Sequence, residues 1–85
     1  MSEIVVDERV NERHPDVTED NVIHAMKSMI KYKPRPNTDE YIAVGLDESS
    51  RMLEMVYNYS FFADVFFVWH SQKATTKTLE ELELI

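Results

Sequence analysis

The sequence predicts an α+β domain: two helices near the amino terminus, a three- to four-stranded antiparallel sheet, and a C-terminal helix. Three observations carry that expectation. Between Tyr41 and Thr75, three runs either alternate apolar with polar residues or are wholly apolar, as consecutive strands do. Upstream, Val17-Thr18-Glu19-Asp20 reads as the start of a capped helix. Downstream, Thr75-Thr76 precedes leucines at helical spacing. With 85 residues, the chain makes a single domain, 1–85, around one modest core.

The elements follow in order. Ile4-Val5-Val6 is either a short strand or an amino-terminal segment packed on the sheet. Asp7 caps a short helix through about His14, with Val10 its clear apolar residue, and Pro15 closes it. Thr18 caps the second helix, where Glu19 and Asp20 suit the positive end of the dipole and Val17 and Val22 form a hydrophobic staple. Val22, Ala25, Met26, Met29 and Ile30 then recur at three- and four-residue spacing as the buried face. Lys27 and Lys31 neighbour each other on the opposite face, Pro34 and Pro36 end the helix, and Lys33 and Arg35 prolong the basic ridge into the loop.

The first central strand runs from Glu40 to Leu46 and the next from Arg51 to Tyr59, joined by the polar loop Asp47-Glu48-Ser49-Ser50. In the second of these, Leu53, Met55, Tyr57 and Tyr59 share one face, and Met52, Glu54, Val56 and Asn58 the other. A third, from about Ala63 to His70, is apolar on both faces except at Asp64, which marks a central or covered strand. Phe61 and Phe62 before it cannot both point inward. They form a candidate partner-binding patch, the alternative being a tucked-in loop. Thr75 or Thr76 caps the last helix, with Leu79, Leu82 and Ile85 facing the body.

There is no cysteine, which excludes disulfides and thiolate metal sites and suits a reducing compartment. The start, Met-Ser-Glu-Ile-Val-Val-Asp-Glu, lacks the basic and long apolar segments of a signal peptide, and no apolar run nears the roughly 20 residues that cross a bilayer. A cytoplasmic protein with no membrane association is expected. The net charge of −7 is uneven: residues 21–37 carry Lys27, Lys31, Lys33 and Arg35 and no acid. A phosphate-binding face must therefore be local, made of this cluster, Arg51, Lys73 and Lys77. The acidic remainder suits a basic protein partner.

No strong catalytic motif is present. Gly45 is the only glycine, so there is no phosphate-cradling loop, and His14, His24 and His70 are too scattered for a helical zinc pair. Neither metal nor cofactor is expected. The constellation of interest is Arg51, His70, Lys73 and Lys77, because in an antiparallel pair the start of one strand lies beside the end of the next. An imidazole among cations moves a proton while the cations hold a phosphate, as RNA cleavage by 2′-hydroxyl attack requires. The plainer reading makes Arg51 and Lys73 surface cations and His70 the end of a strand. Likewise Lys27, Lys31, Lys33 and Arg35 are an RNA-binding patch or a solvated helix face, and Tyr57 and Tyr59 either stack on bases or pack under a helix.

Three stretches are ordered as in a known family: Glu40-Tyr41-Ile42-Ala43-Val44-Gly45, Arg51-Met52-Leu53-Glu54-Met55-Val56-Tyr57, and Ser71-Gln72-Lys73-Ala74-Thr75, preceded by His14 and the Val17-Thr18 cap. Over roughly residues 9–80 the chain resembles the BrnT-like toxins of the RelE/ParE superfamily. The resemblance implies a small RelE-like fold with two helices, an antiparallel sheet and a closing helix. It also implies a type II toxin–antitoxin component: a ribosome-independent, metal-independent ribonuclease held inactive by a basic DNA-binding antitoxin in a hetero-oligomeric complex. By position, His14, Arg51 and Lys73 fall on the family's polar and basic sites; His70 is added from strand geometry. Two departures stand out. Gln72 replaces the family's arginine, and the acidic Thr78-Leu79-Glu80-Glu81-Leu82-Glu83 replaces a basic final helix.

Overall fold

Alternation in the middle of the chain becomes a sheet in the computed structural model, which describes residues 2–85. The elements are β1 (Glu3–Val6), α1 (Arg9–Arg13), α2 (Glu19–Lys27), β2 (Met29–Pro34), β3 (Glu40–Leu46), β4 (Met52–Ser60), β5 (Val65–Lys73) and α3 (Thr76–Glu81). The strands form one sheet in the order β1-β5-β4-β3-β2. Strands β2 to β5 are antiparallel neighbours, whereas β1 runs parallel to β5, with Glu3 opposite Val65 and Val6 opposite Val68. The class is α+β as expected. The layout is not: the sheet is five-stranded and mixed rather than three- or four-stranded and antiparallel, because β1 pairs parallel to β5 and Met29–Pro34, expected as helix end and loop, adds a strand beside β3.

The second helix is also shorter than its spacing implies. It begins as expected: Thr18 Oγ1 accepts from the Asn21 N–H at 3.1 Å, and Asn21 Oδ1 accepts in return from the Thr18 N–H at 2.8 Å. It ends at Lys27, and Met29 and Ile30 leave the helix for the edge strand β2. The ladder to β3 wins here: Tyr32, Lys33 and Pro34 pair with Ala43, Ile42 and Tyr41. A register shift between Met29 and Lys31 leaves Ile30 unpaired and half exposed. Two lysines and a proline on β2 protect an open sheet edge against pairing with another chain. Among the described residues no helix is long and apolar enough to cross a membrane.

Helices pack on both faces of the sheet. On one, Val10, Val17, Val22, Ala25 and Met26 of the helix-pair layer pack on Ala43, Leu53, Met55, Tyr57 and Val68. On the other, Leu82 and Leu79 of the α3 segment pack on Ile42, Val44 and Val56, with Met52 and Trp69 alongside. Gly45 sets the spacing of the first layer. A Cβ there would stand 2.9 Å from the carbonyl carbon of Ala25 in α2 and closer still to its oxygen, so only glycine lets the helix lie on β3.

One core position is imperfect. Ser71 of β5 is fully buried and its hydroxyl has no hydrogen-bond partner. A buried polar group without a partner costs about 1–3 kcal/mol, so Ser71→Ala should raise stability by about 1 kcal/mol, read from denaturant midpoints at constant m-value.

Candidate functional site

Chemistry gathers on β4 and β5, around a buried carboxylate that the sequence presents as an ordinary polar residue of an alternating strand. Glu54 lies on the α3 face, opposite Gln72 in register. Its Oε2 accepts from His70 Nε2 at 2.9 Å and from Gln72 Nε2 at 3.1 Å. Its Oε1 accepts from the backbone N–H of Thr75 at 2.9 Å and from the Thr75 hydroxyl at 3.0 Å. Burial alone would raise the carboxyl, but the hydrogen bonds from His70, Gln72 and Thr75 outweigh it and hold the group at about 2.

An ionised carboxylate only accepts, so His70 Nε2 bears the proton and Nδ1 is the nitrogen left to act. The His14 ring, just past the end of α1, stands edge-on to His70 with centroids 6.1 Å apart. β1 stops opposite Val68, which leaves the β5 edge beyond it without a neighbouring strand. A register shift between Val56 and Tyr57 pairs Val56 with His70 and Tyr57 with Val68, so Trp69 between them has no partner and the strand is locally bent. His14, His70 and Glu54 thus form a linked set: two imidazoles side by side, one oriented by a buried acid. Among the described residues no group of three or more His, Asp or Glu is arranged to hold a metal ion.

Acid should expose the role of Glu54. Its folded pKa is depressed, so its contribution to stability is present above the ordinary value of 4.5 and is lost as pH falls through about 2. The difference in unfolding free energy between the protein and Glu54→Gln should therefore shrink between pH 4.5 and about 2, as measured by denaturant titration at several pH values.

Arg51 is elsewhere. It lies five residues before Val56, the partner of His70, which is about 16 Å along an extended strand. Its Nε donates to Asp47 Oδ2 at 3.0 Å, and the rest of the guanidinium reaches Asp16 Oδ2 and Asn21 Oδ1, both at 3.2 Å. Burial acts to raise the nearly inaccessible Asp47 carboxyl, but the N–H groups of Arg51 and Ser49 and the guanidinium outweigh it and lower the pKa. Asn21 also binds Glu48, so this network ties the β3–β4 loop to the start of α2. Arg51→Ala should cost roughly 1.5–3 kcal/mol of stability, the range for hydrogen bonds to charged groups, in thermal or denaturant unfolding.

The remaining cations are dispersed. Lys73 alternates away from His70 and Gln72 and lies on the face of its register partner Leu53, so the expected Arg51–His70–Lys73 corner does not form. Lys77 stands exposed in the first turn of α3. The basic ridge of one helix is not there either, since Lys27 ends α2 while Lys31 and Lys33 belong to β2. Arg35 makes a two-pronged pair with Glu81, at 3.0 and 3.1 Å, and Lys33 lies 3.8 Å from Glu83, which fastens the β2 end to the α3 segment. Phe61 and Phe62, in the β4–β5 turn, are 83% and 100% exposed, so both rings face outward where at least one was expected to.

Strand geometry singled out His70 and the resemblance singled out His14, but neither pointed to Glu54. The available signal was the need of Leu79 and Leu82 for a sheet face to cover, which makes the Met52-Glu54-Val56 face buried rather than solvated. Comparison of the chain with protein-family models, with curated proteins and with solved structures finds no match.

Proposed function

We propose that the protein is the toxin-like component of a type II toxin–antitoxin pair and cleaves RNA without a metal at the His14–His70 site. The observation that carries this reading is the His70–Glu54 hydrogen bond of 2.9 Å with a second imidazole beside it. The α+β class supports the reading at the level of class alone, since the mixed five-stranded sheet departs from the antiparallel one that the resemblance implies.

In this mechanism His70 Nδ1 takes the proton of a ribose 2′-hydroxyl, and that oxygen attacks the adjacent phosphorus. The P–O5′ bond breaks and the leaving oxygen takes a proton from His14 in its charged form, giving a cyclic 2′,3′-phosphate and a free 5′-hydroxyl. Glu54 fixes the His70 tautomer and stabilises the ring once it is charged. Lys77, exposed in the first turn of α3, supplies positive charge toward the phosphate; Lys73 faces the other side of the sheet, and Arg51 holds the loop at the start of α2, so neither takes part in the chemistry. A basic DNA-binding antitoxin neutralises the protein in a hetero-oligomeric complex.

The test is growth arrest on induced expression, with RNA cleavage by purified protein in the presence of a chelator. The absence of both arrest and cleavage would sink the nuclease reading. A second reading, a non-catalytic interaction module, is favoured by the two outward phenylalanines and by the net charge of −7. It predicts no toxicity and a co-purifying partner.

A further inference from the structure

On the helix-pair face, α1 and α2 cover only part of the sheet. The remainder is a groove of about 320 Å³ lined by Met29, Tyr32, Tyr41, Tyr57, Tyr59 and Phe66. Its rings form a continuous ladder across four strands: Tyr32 of β2 to Tyr41 of β3 at 6.3 Å, Tyr41 to Tyr57 of β4 at 5.3 Å, and Tyr57 to Phe66 of β5 at 5.6 Å. Tyr41 and Tyr57 are nearly parallel, 12° apart, and Tyr59 closes on Phe66 at 4.6 Å. Tyr32 is 58% exposed, so the ladder is open to solvent rather than sealed in the core.

Carboxylates edge this groove, whereas Lys31 and Lys33 on either side of Tyr32 alternate to the α3 face with their register partners Val44 and Ile42. Tyr41 and Tyr59 also line a second, more polar hollow with Pro34, Thr38, Asp39, Glu40 and Asn58. At the β5 end Asp64 accepts from the Tyr59 hydroxyl at 2.7 Å. Arg35 is the cation near the Glu40 end, and it is committed to Glu81 and to Glu40 itself. Nucleic acid meets repulsion here, because stacking platforms for single strands need a cationic track beside the rings. Aromatic faces edged by carboxylates attract cations instead, and guanidinium groups stack on them best.

We propose that this tyrosine groove and its acidic end bind an extended, arginine-bearing segment of a protein partner. Three strand spacings make the ladder about 14 Å wide, which four or five extended residues span. Alternate side chains would lay guanidinium groups on Tyr32 and Tyr41 and direct others to Asp39 and Glu40, with the intervening apolar side chains on Met29 and Phe66. The inference deepens the proposed function, resting on its assignment of a basic protein partner, and names the surface that partner uses.

The experiment titrates the purified protein with labelled eight-residue peptides of alternating arginine and leucine. A glutamine-for-arginine peptide, an oligouridylate of matching length and buffer alone serve as comparisons. The expected result is saturable binding of the arginine peptide, stronger than the glutamine peptide by about tenfold or more and weakened by about tenfold in Tyr32→Ala and in Asp39→Asn. Both positions are exposed, and circular dichroism and unfolding midpoints would show whether the variants keep their fold. Equal binding of both peptides, binding unaffected by both variants, preference for the oligouridylate, or self-association that occupies the tyrosines would each overturn the proposal. Growth arrest and RNA cleavage are scored separately. Peptide binding without either leaves the groove standing and removes the nuclease; arrest and cleavage without peptide binding do the reverse.

Discussion

A single methyl group at Gly45 should cost this protein much of its stability. The new Cβ would overlap the Ala25 carbonyl, and backbone on both sides gives it no side chain to push aside. Overpacking of this kind costs about 1–3 kcal/mol and occasionally more. For a domain of this size each kcal/mol shifts the midpoint by about 4–8 °C, so Gly45→Ala should lower the melting temperature by about 10–20 °C in circular dichroism. Gly45→Val should leave no cooperative transition. A variant that melts like the parent would mean that α2 does not lie against β3 as described.

On the proposed mechanism, His70→Gln is expected to reduce RNA cleavage by about two to four orders of magnitude, the range for a lost general acid or base. Glutamine keeps a donor toward Glu54, which makes the substitution a test of proton transfer rather than of folding. Growth arrest should disappear at unchanged expression. Arg51→Ala should do the opposite, losing stability while each folded molecule still cleaves. If Arg51→Ala abolished cleavage in protein shown to be folded, and His70→Gln did not, the site would have to move to the β3–β4 loop.

Legibility in the sequence followed how local each determinant is. β3 occupies Glu40–Leu46 as its alternation specifies, and the Thr18 cap and the Val17–Val22 staple depend on residues within a few positions of one another. The end of α2 is different. Met29 and Ile30 continue the helical spacing, and what turns them into a strand is the edge of β3, which no local pattern announces. The Arg51–His70 corner failed for a related reason. β5 continues through Lys73 rather than ending at His70, which sets Lys73 opposite Leu53 and carries Arg51 past the end of the pair. Glu54 was illegible because an acid alternating with apolar residues looks solvated until a helix closes over it.

The parallel pairing of β1 with β5 has a consequence for how the molecule comes into being. Glu3 and Val65 are 62 positions apart, so β1 must wait for β5 before it has a partner. Contacts of such separation carry a high loop-closure cost and form slowly compared with the local β3–β4 and β4–β5 hairpins. His14 and His70 meet across this same late junction. A nascent chain therefore has its tyrosine-bearing hairpin strands before it has its pair of imidazoles, which come together only once β5 has taken its place beside β1.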